Sequence, residues 1–268
     1  MQFTCHFSPF RHSRSRPRVR GHGQSGGVLV WILIAVALFA ALSYAMMRDG
    51  GTGTAARTMT DAQARLLASE IISYGNAVRQ AVQKLEIRGC TDLQISFENS
   101  VVAGYENGTD TICQVFHPAG GGLGWKAAPE DALDPQYESS ELFGQYVYNG
   151  MNCVMYVGKA ASYTDNGGCG TPRHPELLVM LPFIKKEVKE AINALLGIES
   201  ELFDYNSVYI GGKFQGAYLS YPTAGFDQNP DFAGKRTGAA TMGNSGNPGL
   251  PTHAPASSHI FYQVLIAR

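Results

Sequence analysis

The sequence predicts an α+β protein with an N-terminal transmembrane helix, followed by an amphipathic helix packed on a mostly antiparallel sheet. Three features carry this fold class: an uncharged apolar run, a helical apolar stripe after it, and short segments of alternating polarity after Gly89. The chain is 44% hydrophobic, which suffices for a buried core, and its 31 glycines and 13 prolines exclude a long helical bundle. The predicted divisions are a basic leader at 1–27, a transmembrane helix at 28–47, a linker at 48–59 and an exported α+β domain at 60–268.

The apolar run extends from Val28 to Met47 without a charged residue. As a helix rising about 1.5 Å per residue, it would cross a hydrocarbon core roughly 30 Å thick. Five arginines precede it, and positive charge on the cytoplasmic side orients such a segment with its N-terminus inside. The rest of the chain is therefore expected to be exported, with the lipid bilayer as one partner.

Two other targeting segments are compatible with the same residues. Ser43-Tyr44-Ala45 would serve as the cleavage site of a secretory signal, although the apolar run is longer than the usual signal. The acid-free start, rich in arginine and serine, also resembles an organelle transit peptide. We favour a retained membrane anchor because of the length of the apolar run.

Cysteine usage fits export to an oxidising compartment. Four cysteines follow the apolar run, whereas Cys5 precedes it. Three pairings of four cysteines are possible, and four free thiols are the alternative. Proximity in the sequence favours two short loops, each worth about 3 kcal/mol in the chain-entropy model. The candidate pairs are Cys90 with Cys113 and Cys153 with Cys169.

The amphipathic helix is predicted to begin after Thr60. Thr60-Asp61-Ala62-Gln63 matches a capping box, and Gly89 is a typical residue after a helix end. Its apolar residues recur at alternating spacings of four and three, which places them on one stripe. The stripe could pack on a sheet of the same chain or on the same helix of another subunit. It covers less than three heptads, which favours the sheet.

The remaining elements are predicted from alternation and turn residues. A long segment rich in glycine, proline and asparagine, residues 226–258, is expected to be a loop of functional importance. The predicted elements are a hairpin at 93–102, a strand at 111–116, a hairpin at 145–157 around Asn149-Gly150, a strand at 176–181, a helix at 183–196 and a final strand at 260–266.

No group of residues in the sequence forms a recognisable catalytic or metal-binding set. Gly23-Gln24-Ser25-Gly26-Gly27 matches a nucleophile-elbow pattern, but it lacks the preceding strand that such a motif requires. Cys113 and His117 are four residues apart, yet no second ligand pair accompanies them. Removing the five leader arginines leaves 16 basic against 22 acidic residues, which disfavours nucleic-acid binding. We therefore expect no enzyme, cofactor, metal or nucleic-acid partner.

The segment Gln24-Ser25-Gly26-Gly27-Val28-Leu29-Val30-Trp31-Ile32-Leu33 resembles the start of a type IV prepilin or pseudopilin. In that family a basic leader ends in glycine, a peptidase cuts after it, and apolar helices later bundle into a filament. The resemblance implies cleavage after Gly27, with Val28 as the first mature residue, and cleavage after Gly26 is the less favoured alternative. The family usually carries a glutamate at the fifth mature position, where this chain has Ile32.

The resemblance implies a non-enzymatic, single-pass inner-membrane protein with a cytoplasmic N-terminus and a periplasmic domain. Such a protein would be a subunit of a pilus or type II secretion system and would form homo- or hetero-oligomers through its N-terminal helices. The alternative is a membrane-anchored envelope module that recognises a protein, peptide or glycan through residues 226–258.

Overall fold

The computed structural model describes residues 30–40, 59–158, 168–204, 208–220, 225–227, 229–243 and 254–268. The chain divides into two units, Met1–Arg57 and Thr58–Arg268. In the first unit the described residues form helix α1, residues 30–40. The second unit contains the sheet and the other helices.

The predicted transmembrane helix is wrong for the described part of the chain. None of the helices described there is both long and apolar enough to cross a membrane. Helix α1 comprises residues 30–40 of the predicted span at 28–47, and the rest of that span lies outside the described residues. The predictions of an α+β class and a mostly antiparallel sheet are confirmed, whereas the described residues contain no membrane-spanning helix.

Helix α2, Asp61–Ile87, forms as its sequence predicts. Gln63 N donates to Thr60 Oγ1 at 3.3 Å while Thr60 N donates to Gln63 Oε1 at 3.2 Å, which completes the capping box. Gly89 follows the helix with a φ of 96°, a conformation that glycine adopts readily. The buried stripe of α2 packs into the core of the same chain, so the intramolecular partner is confirmed.

The described residues form seven strands: β1 Val147–Asn149, β2 Cys153–Val154, β3 Leu177–Pro182, β4 Phe203–Asp204, β5 Gly225–Phe226, β6 Thr237–Met242 and β7 His259–Ile266. The main sheet contains five of them in the order β1-β3-β7-β6-β4. Strands β1, β3, β7 and β6 pair antiparallel, and β6 pairs parallel with β4. Strands β2 and β5 form a separate parallel pair.

Both faces of this sheet are covered. Leu177, Val179 and Leu181 of β3 belong to the core that contains α2 and helix α3, Lys186–Leu195. The alternate residues Leu178 and Met180 belong to a second core on the opposite face. Burial on both faces explains why β3 reads as a continuous apolar run rather than an alternating one.

Two predicted hairpins are absent from the described residues. Strand β1 pairs with β3, and β2 pairs with β5, so Asn149-Gly150 does not join two paired strands. The hairpin predicted at 93–102 does not form either. These residues contain a turn, in which Asn99 Oδ1 accepts hydrogen bonds from the amides of Val101 and Val102. Alternating polarity in a short segment indicates which side chains face the core, but it does not indicate which strand the segment pairs with. The pairing here depends on tertiary contacts.

The strand predicted at 111–116 begins instead as a 3-10 helix, Thr111–Cys113, capped by Asp110. Helix α3 starts three residues later than predicted. Pro182 pairs with Ile260 within the sheet, and Phe183 has a φ of 65°, which is not helical. The final strand is confirmed as β7.

The expectation of a long loop at residues 226–258 is wrong in part, because β6 lies within it. The small residues of β6 fit closely against Leu202 and helix α3. A Cβ at Gly238 would collide with Leu202, and the Asn193 side chain of α3 bonds both the amide and the carbonyl of Ala239, at 2.9 and 2.8 Å. Small side chains therefore mark close packing here rather than a loop.

Candidate functional site

A surface cleft collects aromatic and polar side chains from separate segments of the chain. It has a volume of about 410 Å³ and opens to solvent. We call it the Trp125 cleft, and its lining includes Glu98, Asn99, Gln114, Phe116, His117 and Trp125. Sequence reasoning did not bring these residues together, since no fixed spacing connects them. The glycine cluster after His117 is a sequence feature that could have indicated this region, because glycines allow two backbone segments to approach closely.

The two segments that carry Glu98 and Gln114 are joined by a parallel bridge between Ser96 and Gln114. Ser96 N donates to the carbonyl of Cys113 at 3.0 Å. The Cys90–Cys113 disulfide ties the same segment to the end of α2. These links hold one side of the cleft on a fixed frame before any ligand arrives.

The loop at 117–122 folds back onto this frame and requires glycine. A Cβ at Gly120 would collide with the carbonyl oxygen of Gln114, to which Gly121 N donates at 2.9 Å. Arg88, the C-cap residue of α2, donates to the carbonyl of Gly120 at 2.8 Å. The glycines therefore form a turn, and Arg88 anchors this turn to the end of α2.

The polar groups of the Trp125 cleft include both acceptors and a donor. Gln114 Nε2 donates to Glu98 Oε2 at 3.1 Å, which holds the two side chains side by side. His117 Nδ1 accepts from Ala119 N at 3.1 Å, so a neutral His117 ring carries its proton on Nε2. The cleft thus presents carboxylate and amide oxygens together with an imidazole N–H.

The aromatic groups of the cleft are Phe116 and Trp125, each half-buried. The Phe116 ring meets the Tyr148 ring at a centroid distance of 5.8 Å and an interplanar angle of 62°. Tyr148 in turn stacks on Phe97 at 4.3 Å within the core. The position of Phe116 is consequently set by the packed interior of the domain.

A second group of polar side chains is sealed from solvent. We call Arg173, Glu176 and Asp227 the Glu176 cluster. Arg173 and Asp227 form a buried ion pair. Glu176 Oε2 accepts a hydrogen bond from the N–H of Val154, in β2, at 2.7 Å. Strand β5 pairs with β2, and Asp227 directly follows β5.

Burial raises the pKa of Glu176 to about 9, although the Val154 amide and the charges of Arg173 and Arg268 act in the opposite direction. Glu176 is fully buried. Its other oxygen, Oε1, has no hydrogen-bond partner among the described residues. The group is therefore a neutral carboxylic acid at neutral pH and lies out of reach of a dissolved substrate.

The cysteines predicted to form disulfides do so in the favoured pairing. Cys90 bonds Cys113, and Cys153 bonds Cys169. The first disulfide lies beside the Trp125 cleft. The second is fully buried and adjoins Val154, the residue that donates to Glu176.

Other residues considered from the sequence are not brought into a site. Within the described ranges, no three His, Cys, Asp or Glu side chains are grouped so that they could hold a metal ion. Cys113 is bonded to Cys90, so it cannot act with His117 as a thiolate ligand. The predicted cleavage residues Gly27 and Val28 lie outside the described residues, as does the Ser25 motif.

Helix α1 presents a different kind of surface. All of its residues are apolar, and every side chain is exposed. Leu33 is 66% exposed and Trp31 is 74% exposed. An apolar surface that surrounds a helix on all sides marks a site of contact with another apolar body.

Comparison of the chain with known protein families, with curated proteins and with solved structures finds no match.

Proposed function

We propose that the chain is a non-enzymatic, pilin-like or pseudopilin-like subunit that works in the periplasm and assembles with other subunits through α1. The observation that carries the proposal is the exposure of every side chain of α1, residues 30–40. A single apolar face would suit one partner, whereas exposure on all sides suits contact with several neighbouring helices. Helices α1 of adjacent subunits provide such neighbours.

The Thr58–Arg268 unit supports this proposal in two ways. Its two disulfides are typical of a protein that folds in an oxidising compartment such as the periplasm. The 27-residue helix α2 packs on a mostly antiparallel sheet, the arrangement implied by the resemblance of residues 24–33 to prepilins. This likeness of arrangement supports the proposal without identifying a relative.

The chemistry of the described residues favours a structural role. The carboxyl with the pKa raised to about 9, Glu176, is fully buried. A catalytic acid must come within hydrogen-bond distance of its substrate, and this one does not meet solvent. The Glu176 cluster is better explained as part of the interior.

A matched pair of substitutions tests assembly. Leu33→Asp places a charge on α1, and Leu66→Asp places the same charge on α2, where the leucine is similarly exposed at 70%. In cells that express the full chain, chemical crosslinking should capture oligomers of the wild type. We expect Leu33→Asp to reduce the crosslinked fraction at least tenfold and Leu66→Asp to leave it unchanged.

Equal losses in the two variants would show a general effect of charge and contradict assembly through α1. Crosslinking of the wild type at background level would also contradict it, since α1 would then contact lipid or nothing rather than neighbouring subunits. Circular dichroism and thermal unfolding of both variants verify that the fold is intact.

Proteolytic processing tests the pilin-like part separately. Co-expression with a prepilin peptidase should remove residues 1–27, and mass spectrometry should find Val28 at the new N-terminus. Gly27→Leu should prevent that cleavage while the Gly23→Leu control is still processed. An intact mass for the wild type in the presence of the peptidase would remove the pilin-like assignment.

A further inference from the structure

We propose that the Trp125 cleft is a saccharide-binding site that accepts an uncharged pyranose unit of a glycan. The proposal goes beyond assembly through α1, because it concerns a separate surface with its own chemistry. It rests on the combination of aromatic rings, paired polar side chains and a fixed backbone frame at one cleft.

The aromatic residues fit one side of a sugar. A pyranose ring has faces of C–H groups, which pack against aromatic rings and lose contact with water. Phe116 and Trp125 both line the cleft, and both are half-buried, so neither residue is sealed in the core. Phe116 is braced by Tyr148 at a centroid distance of 5.8 Å, which limits the entropy lost when a ligand binds.

The polar residues fit the hydroxyl groups of a sugar. Each hydroxyl both donates and accepts, and the cleft contains both kinds of partner. The Glu98 carboxylate and the Gln114 amide lie together, joined by the 3.1 Å bond from Gln114 Nε2 to Glu98 Oε2. The His117 ring adds a donor at Nε2, because Nδ1 accepts the hydrogen bond of the Ala119 amide.

Charged ligands fit this cleft less well. Among the described residues, no lysine or arginine lines the cleft, so none of them would supply a cationic partner to a phosphate or carboxylate. A cationic ligand would meet one carboxylate, Glu98, whose Oε2 already accepts from Gln114. An ammonium group also cannot accept a hydrogen bond from His117. An uncharged ligand with many hydroxyls uses every group present.

The protein contains two tryptophans, Trp31 and Trp125, which provides a direct readout. In the full-length Trp31→Phe variant, Trp125 is the sole source of tryptophan fluorescence. Titration with maltotriose, cellotriose and chitotriose should give a saturable change in emission for at least one of them. We expect a dissociation constant on the order of 1 mM or tighter, checked by calorimetry.

Two half-buried glutamines form a matched pair of variants in the same background. Gln114→Ala should weaken binding at least tenfold, because the amide lines the cleft. Gln145→Ala should leave binding unchanged, because Gln145 does not line it. Circular dichroism separates loss of a contact from loss of the fold. Equal affinity of the two folded variants would overturn the proposal.

Glu98→Gln distinguishes a saccharide from a cation. It keeps the shape and the acceptor oxygen, so saccharide affinity should change less than fivefold. Choline chloride is the probe for a cation site, which would use the rings and the carboxylate together. The proposal is overturned if choline binds and Glu98→Gln abolishes that binding while no saccharide responds. It is likewise overturned if none of the three saccharides gives a saturable response.

Discussion

The Trp125 cleft and the Glu176 cluster are built from similar parts but differ in access to solvent. Each has a glutamate placed near a disulfide: Glu98 near Cys90–Cys113 and Glu176 near Cys153–Cys169. Glu98 is half-buried on an open cleft, whereas Glu176 is fully buried. Solvent access, rather than the kind of residue, therefore decides whether a polar group can bind a ligand or only stabilise the interior.

The largest effect should come from breaking the ion pair of the Glu176 cluster. Asp227→Ala leaves the buried charge of Arg173 without its carboxylate, and such losses cost about 4 kcal/mol. Asp110→Ala, near the cleft, removes only an exposed cap of a 3-10 helix and should cost about 1 kcal/mol. Urea unfolding at pH 7 measures both free energies.

Similar costs for the two aspartate variants would contradict the contrast between a sealed and an open region. The saccharide titration adds a second criterion. Folded Asp227→Ala protein should bind as the Trp31→Phe parent does, because Asp227 does not line the cleft.

Removing either disulfide should lower stability by a similar amount, but only removal of Cys90–Cys113 should weaken saccharide binding. The two loops separate their cysteines by 23 and 16 residues, so the chain-entropy model gives about 3 kcal/mol for each. Replacing Cys90 and Cys113 by alanine should also weaken saccharide binding, because Gln114 follows Cys113 directly. Replacing Cys153 and Cys169 should leave binding intact.

Unfolding and binding are measured on the same two preparations at a temperature where both are folded. The Cys153 and Cys169 double variant could lose saccharide binding while the Cys90 and Cys113 double variant keeps it. That result would contradict the placement of the binding site at the Trp125 cleft.

The smallest and most informative change is one isosteric substitution made at both glutamates. Folded Glu176 holds its proton up to a pKa of about 9, whereas the unfolded chain loses it near the ordinary value of 4.5. Between these values the folded state binds the extra proton, so this group lowers stability as pH rises from 4.5 to 9. Glu176→Gln cannot ionise and should raise the free energy of unfolding by about 2 to 3 kcal/mol at pH 7.

The gain from Glu176→Gln should vanish at pH 4, where both states of the wild-type residue are protonated. Glu98→Gln is the control and should change stability by less than about 0.5 kcal/mol at either pH. Chemical unfolding at the two pH values measures all four quantities. A pH-independent gain for Glu176→Gln would show that burial does not keep this carboxyl neutral.

Elements with strong local signals were predictable. The capping box of Thr60 and Gln63 predicts the start of α2, and Gly89 predicts its end. Both features depend only on residues a few positions apart in the sequence. Proximity also gave both disulfides. Strand β6 was missed because its small residues, such as Gly238, fit under Leu202 and look like loop residues without that neighbour.

The candidate site was less predictable than the fold. Glu98, Gln114 and Trp125 are individually unremarkable in the sequence, and only the bridge at Ser96 and the returning loop bring them to one cleft. The burial of Glu176 was equally invisible, since a glutamate before an apolar strand is usually exposed.

Local sequence patterns suffice to predict the α+β class, the position and limits of α2, the final strand and the cysteine pairing favoured by short loops. The pairing of the strands, the burial of Glu176 rather than Glu98 and the residues that share the cleft follow only from the folded chain. These two sets of features differ because the interactions behind them differ in range. Caps and helical stripes act over one or two turns, whereas pairing and burial depend on neighbours that are remote in the chain until it folds.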